Sequence, residues 1–426
     1  MMMKKFRWMA GSLLLAAAAT LSFTSCDDEE APALTLVSLT ADGIDLNGST
    51  SATGVGTDAV IVAEFSTDVD ATSVDAISLI RDYDDASYDV DVTVDGNTVT
   101  ITPAVDFSTG TLFSLSFGTG LKSSQGKILT SAIERTFNTE GTFAVPGAFA
   151  QWTFEDNAND VIGGFDPSAS GIVDITYAAS RNAASGKAAS FNGTTSIIEI
   201  PNGNNLMNEG DWTVSFWMKT ALHTDNVDKG HFVMGLGAFY GFQFEVFGGY
   251  GGWKLATRYG FNNTTTTTQG TITEDNAFNG DGKDNTNGGW MGFSFTKNLT
   301  TTGGVAGLIK EKWVHIVYVY DASEKTGAYY ANGEKMREFD FDLWPAGDNK
   351  RFVSGPKYGG TAPEVVNELA FGFVQSRAGT LWDAEPWGGY SLASANHFKG
   401  LLDDVLIYHK TLSPAEITLM YNSGKP

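Results

Sequence analysis

The chain has 426 residues, with 27 Lys and Arg against 50 Asp and Glu and a formal net charge of −23 at pH 7. So acidic a balance excludes a phosphate-tracking nucleic-acid surface, which needs a basic face, and works against docking on anionic lipid. The 49 glycines, 12% aromatic residues and single cysteine point to turn-rich β-structure with no intramolecular disulfide, and the length allows two or three domains.

Lys4, Lys5 and Arg7 precede an apolar run from Trp8 to Phe23 that ends in Thr24-Ser25-Cys26. This is the layout of a secretory signal over residues 1–25, with an apolar core short for a membrane span. Cys26, placed just after small residues, resembles the lipobox cysteine of bacterial lipoproteins. The resemblance implies that Cys26 is lipidated and is the mature N-terminus; a secreted protein with an incidental cysteine is the alternative. Residues 26–34 form an acidic tether that begins Asp27-Asp28-Glu29-Glu30. Such a run is a solvated leash, and in Bacteroidetes-type surface lipoproteins a similar one implies display on the outer face of the outer membrane.

From 35 to 140, short β-rich runs alternate with Gly, Asp, Asn and Ser. Val60-Ile-Val-Ala-Glu-Phe-Ser66 and Val90-Asp-Val-Thr-Val94 have strand periodicity, and Asp95-Gly96 predicts a tight hairpin. The order Phe65-Ser66, Asn97-Thr-Val-Thr-Ile-Thr-Pro103, Gly120 to Gly126 and Phe137-Asn-Thr139 resembles the bacterial Ig-like domains used as spacers in surface proteins, which implies a stalk. Asp82, Asp84, Asp85 and Asp89 crowd around Tyr83 and Tyr88, either as oxygen ligands for calcium or as a solvated loop. Glu140 to Gly147 carries Pro146 and Gly147, and residues 141–148 read as a short, stiff linker.

The remainder, 149–426, carries several motifs in a fixed order. Gln151-Trp-Thr-Phe-Glu-Asp156 comes first, then Gly186-Lys-Ala-Ala-Ser-Phe-Asn-Gly193, then Trp212-Thr-Val-Ser-Phe-Trp-Met-Lys219. Trp313 to Asp321 and Gly327 to Met336 follow as a hairpin turned at Asn332-Gly333. Phe398-Lys-Gly-Leu-Leu-Asp-Asp-Val-Leu-Ile-Tyr408 reads as a buried strand. After it come the capping box Ser413/Glu416 with Pro414 at the first helical position, and a stop near Gly424. Together they resemble the laminin-G/pentraxin-like superfamily. The fold class expected for the chain is therefore all-β, an N-terminal Ig-like β-sandwich followed by a concanavalin A-like (laminin-G) two-sheet jelly roll.

The resemblance also implies that the first strand of this domain pairs with the last. Glu155 and Asp156 would then approach Asp403 and Asp404, and four carboxylates drawn together suit a structural calcium ion; capping of strand and turn by Asp403 and Asp404 is the alternative. In the same family Trp313 and His315 sit at packing positions. Asn279-Gly-Asp-Gly-Lys-Asp-Asn-Thr-Asn-Gly288 fails as a calcium loop, because Lys283 stands at a ligand position and no bidentate Glu closes it.

Two stretches exceed the family pattern, Ala221 to Leu308 and Trp382-Asp-Ala-Glu-Pro-Trp387-Gly-Gly-Tyr390. Long loops on a rigid sandwich are where function sits. Glycines beside tryptophans leave ring faces open for the apolar face of a sugar, so Tyr250, Trp253, Trp290, Trp382, Trp387 and Tyr390 are the candidate ligand platform; stapling of the loops to the sheet is the competing role for each ring. Catalysis has one weak candidate set, Glu338, Asp340 and Asp342. It resembles the Glu-x-Asp-x-Glu strand of laminarinase-type glycosidases but ends in Asp, and residues four apart on a strand are about 13 Å apart, too far for a retaining pair without a bulge.

The sequence thus points to a lipid-anchored outer-membrane protein, touching the membrane through its anchor alone. It would capture a polysaccharide or oligosaccharide for uptake, in company with an outer-membrane glycan transporter complex. A protein-binding adhesion scaffold and a jelly-roll glycoside hydrolase are the alternatives.

Overall fold

A computed structural model describes residues 31–426; the secretory segment 1–25, Cys26 and the acidic run 27–30 lie outside the described residues. The N-terminal unit is a sandwich of two five-stranded sheets. In the strand Leu112–Phe117, alternation sends Phe113, Leu115 and Phe117 inward and leaves the serines between them half-buried. Those rings meet the opposite sheet directly, with Phe65 and Phe117 edge to face at 5.5 Å. The Asp95-Gly96 turn joins Val90–Asp95 to Thr98–Pro103 as expected, with Gly96 at φ +60°.

The crowded acidic loop is a joint between the domains. Arg81 takes Asp84 at 2.7 Å, and Tyr83 stands edge-on to Phe143 at 4.9 Å. The linker itself is docked, because Phe143 and Val145 are buried with Tyr408, Leu412, Ile417 and Met420 of the distal domain. One aromatic contact of this kind is worth about 1 kcal/mol. Tyr83→Ala is therefore expected to loosen the two domains without unfolding either, read as faster protease cleavage around residues 140–147 and a broader distance distribution in small-angle scattering; unchanged cleavage would show that Tyr83 does not hold the joint.

The distal domain is a second, larger sandwich. Thirteen of its strands are labelled here: β1 (Ala150–Trp152), β2 (Lys187–Asn192), β3 (Ile197–Ile200), β4 (Trp212–Thr220), β5 (His231–Leu236), β6 (Phe242–Val246), β7 (Trp253–Asn263), β8 (Thr268–Phe278), β9 (Trp313–Asp321), β10 (Thr326–Ala331), β11 (Glu334–Asp340), β12 (Leu369–Phe371) and β13 (Lys399–Tyr408). One sheet runs β2-β13-β4-β9-β10-β11, with further strands at both edges and β1 paired to β13. The facing sheet runs β3-β12-β5-β6-β7-β8. First and last strands do meet, Ala150 opposite Ile407 and Trp152 opposite Val405. The core between the sheets is largely aromatic: Trp152, Trp212, Trp253, Tyr259, Tyr318 and Tyr329 are all fully or almost fully buried.

The last helix, Pro414–Gly424, begins with the capping box read from sequence. It covers the outer face of the first sheet, where Trp217 stacks on Tyr421 at 5.9 Å and on His315 at 4.9 Å. His315 bonds Ser215 Oγ at 2.8 Å, and burial lowers its pKa to about 3. It is a neutral packing histidine.

The Glu338–Asp342 row is broken in the fold. β11 ends at Asp340, whose carboxylate accepts the Asp342 N–H at 2.7 Å and turns the chain into a 3-10 segment. Each carboxylate also has a local partner: Glu338 is bound by Lys335 and Ser294, and Asp342 by Lys325.

Candidate functional site

The strand β6 supplies the floor of the site through its parity. Phe242, Phe244 and Val246 enter the core, so Gln243 and Glu245 point to the outer face of the second sheet. β7 adds Lys254 directly opposite Glu245, and β8 adds Asp275 opposite Ala256. The segment around 376–396 folds back over the neighbouring β5 and β12. There Phe232, Ala370, Phe373, Val374 and Ala395 form a small second core, with Trp382 and Tyr390 packed against it. It covers that half of the sheet and stops short of β6 to β8.

The gap is a cleft of about 370 Å³, walled by Phe239, Trp382 and Trp387 over a floor of Gln243, Glu245, Lys254 and Asp275. Trp382 and Trp387 lie 4.9 Å apart at 51°, and Trp387 is 38% exposed. On the floor, Gln243 Nε2 donates to Glu245 Oε2 at 3.3 Å. Lys254 Nζ lies 3.5 Å from Glu245 and 3.3 Å from Asp275. Burial raises the Glu245 pKa, against the pull of Lys254. Two of the residues that line this cleft each bury a polar atom with no partner in the protein, the carbonyl oxygen of Gln243 and the indole N–H of Trp382. Gln243 is 6% exposed, so its unmet acceptor carries a desolvation penalty that a ligand hydroxyl would relieve.

The six candidate rings separate into distinct groups. Trp382 and Trp387 share this cleft. Tyr390 braces the overlying segment, packed on Phe373 and His397 with its hydroxyl on the Thr195 carbonyl. Trp253 and Tyr250 are core residues, 0% and 3% exposed, which corrects their placement on the platform; the glycines before Trp253 end a turn, and the strand that follows points the ring inward against Phe278 at 4.7 Å. Trp290 is 54% exposed and lines a different hollow. Gln243, Glu245, Lys254 and Asp275 were missed by sequence reasoning. Polar residues alternating with Phe on β6 were the available signal.

The four carboxylates expected to hold calcium are not assembled as a cage. Arg181 lies between Asp403 and Asp404 with ion pairs to both, and Ser180 also bonds Asp403. Arg181 also donates to the Gly424 carbonyl at 2.7 Å and stacks over Trp217 at 4.4 Å. Glu155 instead accepts the Lys187 N–H at 3.0 Å, and Asp156 pairs with the Lys187 ammonium at 2.5 Å. Among the described residues no group of three or more His, Cys, Asp or Glu is placed to hold a metal ion. The donor set does not fit calcium, since a buried guanidinium already occupies the carboxylate pair. Thermal melting is expected to be the same in calcium and in EGTA; a clear rise with calcium would contradict this assignment.

Compared with known proteins, residues 41–139 match the profile of the bacterial Ig-like domain family. No curated protein sequence matches the chain. Among solved structures, the chain is similar to domain 4 of AbnA, an extracellular arabinanase from Geobacillus stearothermophilus, in complex with arabinotriose. The identity is 20%, with 65% of this chain and 98% of that one covered and a TM-score of 0.36. It is also similar to the botulinum neurotoxin type G receptor binding domain at 10% identity (66% and 54% covered, TM-score 0.34) and to the binding domain of Paraclostridial mosquitocidal protein 1 at 13% identity (65% and 52% covered, TM-score 0.38). The chain spans about half the length of those two toxin domains.

Proposed function

We propose that the distal sandwich is a carbohydrate-binding domain, carried on the Ig-like unit as a stalk at the cell surface, and that it captures a polysaccharide for uptake. The observation that supports this best is the cleft beside β6. Aromatic rings stand over a polar floor, with an unpaired acceptor buried just beneath it on Gln243 and an unpaired donor in the wall on Trp382. A sugar ring satisfies such a site because its C–H face stacks on an indole while each hydroxyl both donates and accepts. Lipid anchoring through Cys26, export to the outer face of the outer membrane and delivery to a glycan transporter complete the proposed setting. The acidic tether and the secretory layout of residues 1–25 are the support for that part.

Affinity electrophoresis of residues 31–426 through gels cast with neutral and acidic polysaccharides tests the reading. Retardation by a neutral glycan, the same with calcium and with EGTA, is expected. Retardation by none of a broad panel would overturn it in favour of protein adhesion.

A further inference from the structure

The cleft does not end at Lys254. On the outer face of β6, β7 and β8 the side chains form successive rows. Gln243, Ala256 and Asp275 make one row, and Glu245, Lys254 and Ala277 the next. The Phe247 N–H bonds the Gly252 carbonyl at 2.9 Å, so the pairing continues one step further. Ala277, the register partner of Lys254, lines a second hollow of about 530 Å³ together with Phe247, Asn279, Lys283 and Trp290. Facing residues in adjacent strands have Cβ atoms roughly 5 Å apart. The two hollows therefore meet along one row of the sheet.

The far wall of the second hollow has a fixed shape. In its Gly-rich loop the Gly289 N–H bonds the Asp284 carbonyl at 2.7 Å, Asn285 bonds Phe293 at 2.8 Å, and Phe293 bonds Trp290 at 3.0 Å. Asn287 Nδ2 reaches the Gly282 carbonyl at 3.0 Å. Trp290 is thus held out to solvent by an ordered turn. Crossing from β6 to β8 alone covers about 10 Å, and each tryptophan wall lies beyond those strands, so no single sugar ring reaches both.

We propose that the two hollows form one continuous track, and that its occupant is the interior of an uncharged linear polysaccharide stretched from Trp382 and Trp387 across Lys254 to Trp290. This rests on the carbohydrate reading above and adds the length and charge of the bound segment. The lack of charge follows from the lining of the two hollows together, where Glu245, Asp275 and Asp281 balance Lys254, Lys283 and Arg337, and from the chain's net charge of −23.

The test is calorimetric titration with gluco-, manno- and xylo-oligosaccharides from disaccharide to octasaccharide, and with polygalacturonate fragments, on the wild type, Trp387→Ala and Trp290→Ala. Affinity should rise with length in one neutral series. Trp290→Ala should weaken the longest members roughly tenfold and leave the shortest unchanged, while Trp387→Ala weakens all lengths. Equal affinity of Trp290→Ala and wild type for the octasaccharide would overturn the track while the first cleft stands. Preference for polygalacturonate would overturn the uncharged class. Binding of no oligosaccharide, and no polysaccharide in the gels, would remove the carbohydrate reading and the track with it. Trp290 is exposed, so its replacement leaves the fold intact, and matching melting curves check that.

Discussion

Arg181→Met is expected to destabilise the distal domain by about 3–5 kcal/mol, the range seen when one partner of a buried ion pair is removed. The Arg181 side chain and the Asp403 carboxylate are both fully buried, and Asp404 is close to it. Two carboxylates on one guanidinium hold an excess negative charge, and burial with the Asp404 neighbour pushes the Asp403 pKa upward against the pull of Arg181. The variant loses the only cation among these contacts, so Asp403 keeps its proton to still higher pH. A carboxyl whose folded pKa is raised contributes stability at low pH that is lost as pH rises through that value. Both folded states hold the Asp403 proton up to about pH 9, so the deficit relative to wild type should stay level across neutral pH and grow in the alkaline range above about 9. Denaturant melts across that range measure it, and adding Asp403→Asn and Asp404→Asn to Arg181→Met should recover part of the loss. A deficit below about 1 kcal/mol, or one that shrinks as pH rises, would show that the arginine is not the counterion the packing implies.

Trp387→Ala is expected to abolish retardation in the glycan gels and to weaken binding by at least tenfold, about 1.4 kcal/mol or more. The ring is 38% exposed, meets Phe232 edge to face and lies tilted against Trp382. Its removal costs the fold little and opens one wall of the cleft. Trp382→Ala differs, because that ring also packs on Phe239 and on the small core under the overlying segment, so it should lower both binding and melting temperature. Gln243→Met separates function from folding most sharply. It deletes an acceptor that nothing in the protein satisfies together with one long hydrogen bond to Glu245, which keeps Lys254, so the free protein should stay close to wild type in stability while glycan binding weakens. A Gln243→Met protein that binds normally would remove the floor from the proposed site.

Much of the fold is visible in the sequence because it is written in local chemistry. The helix cap at Ser413, Pro414 and Glu416 needs only neighbours. The Asn332-Gly333 turn needs two residues at positive φ, found at +52° and +79°. The order of strand motifs carries the family resemblance, and that resemblance implies β1 beside β13, where the pairing of Ala150 with Ile407 is found. The site was only half legible, for a reason of parity: sliding a strand by one residue exchanges its two faces. Trp253 and Lys254 are adjacent, yet one fills the core and the other the cleft floor. Glycine beside tryptophan shows that a ring has room, and does not say on which side of the sheet. Arg181 was harder still, since it meets Asp403 across more than two hundred residues with no local pattern to mark it.

The position of β13 also bears on how the domain is made. It lies between β2 and β4, with Phe191 opposite Gly400 and Ser215 opposite Leu406, so the first sheet stays split until a segment about two hundred residues later has been synthesised. Every contact that closes it is non-local, which is the topology of slow folders. Until β13 arrives, β2 and β4 each present a bare apolar edge, open to a wrong partner. That delay predicts that overproduction favours aggregates, with the late insertion of β13 as the slow step.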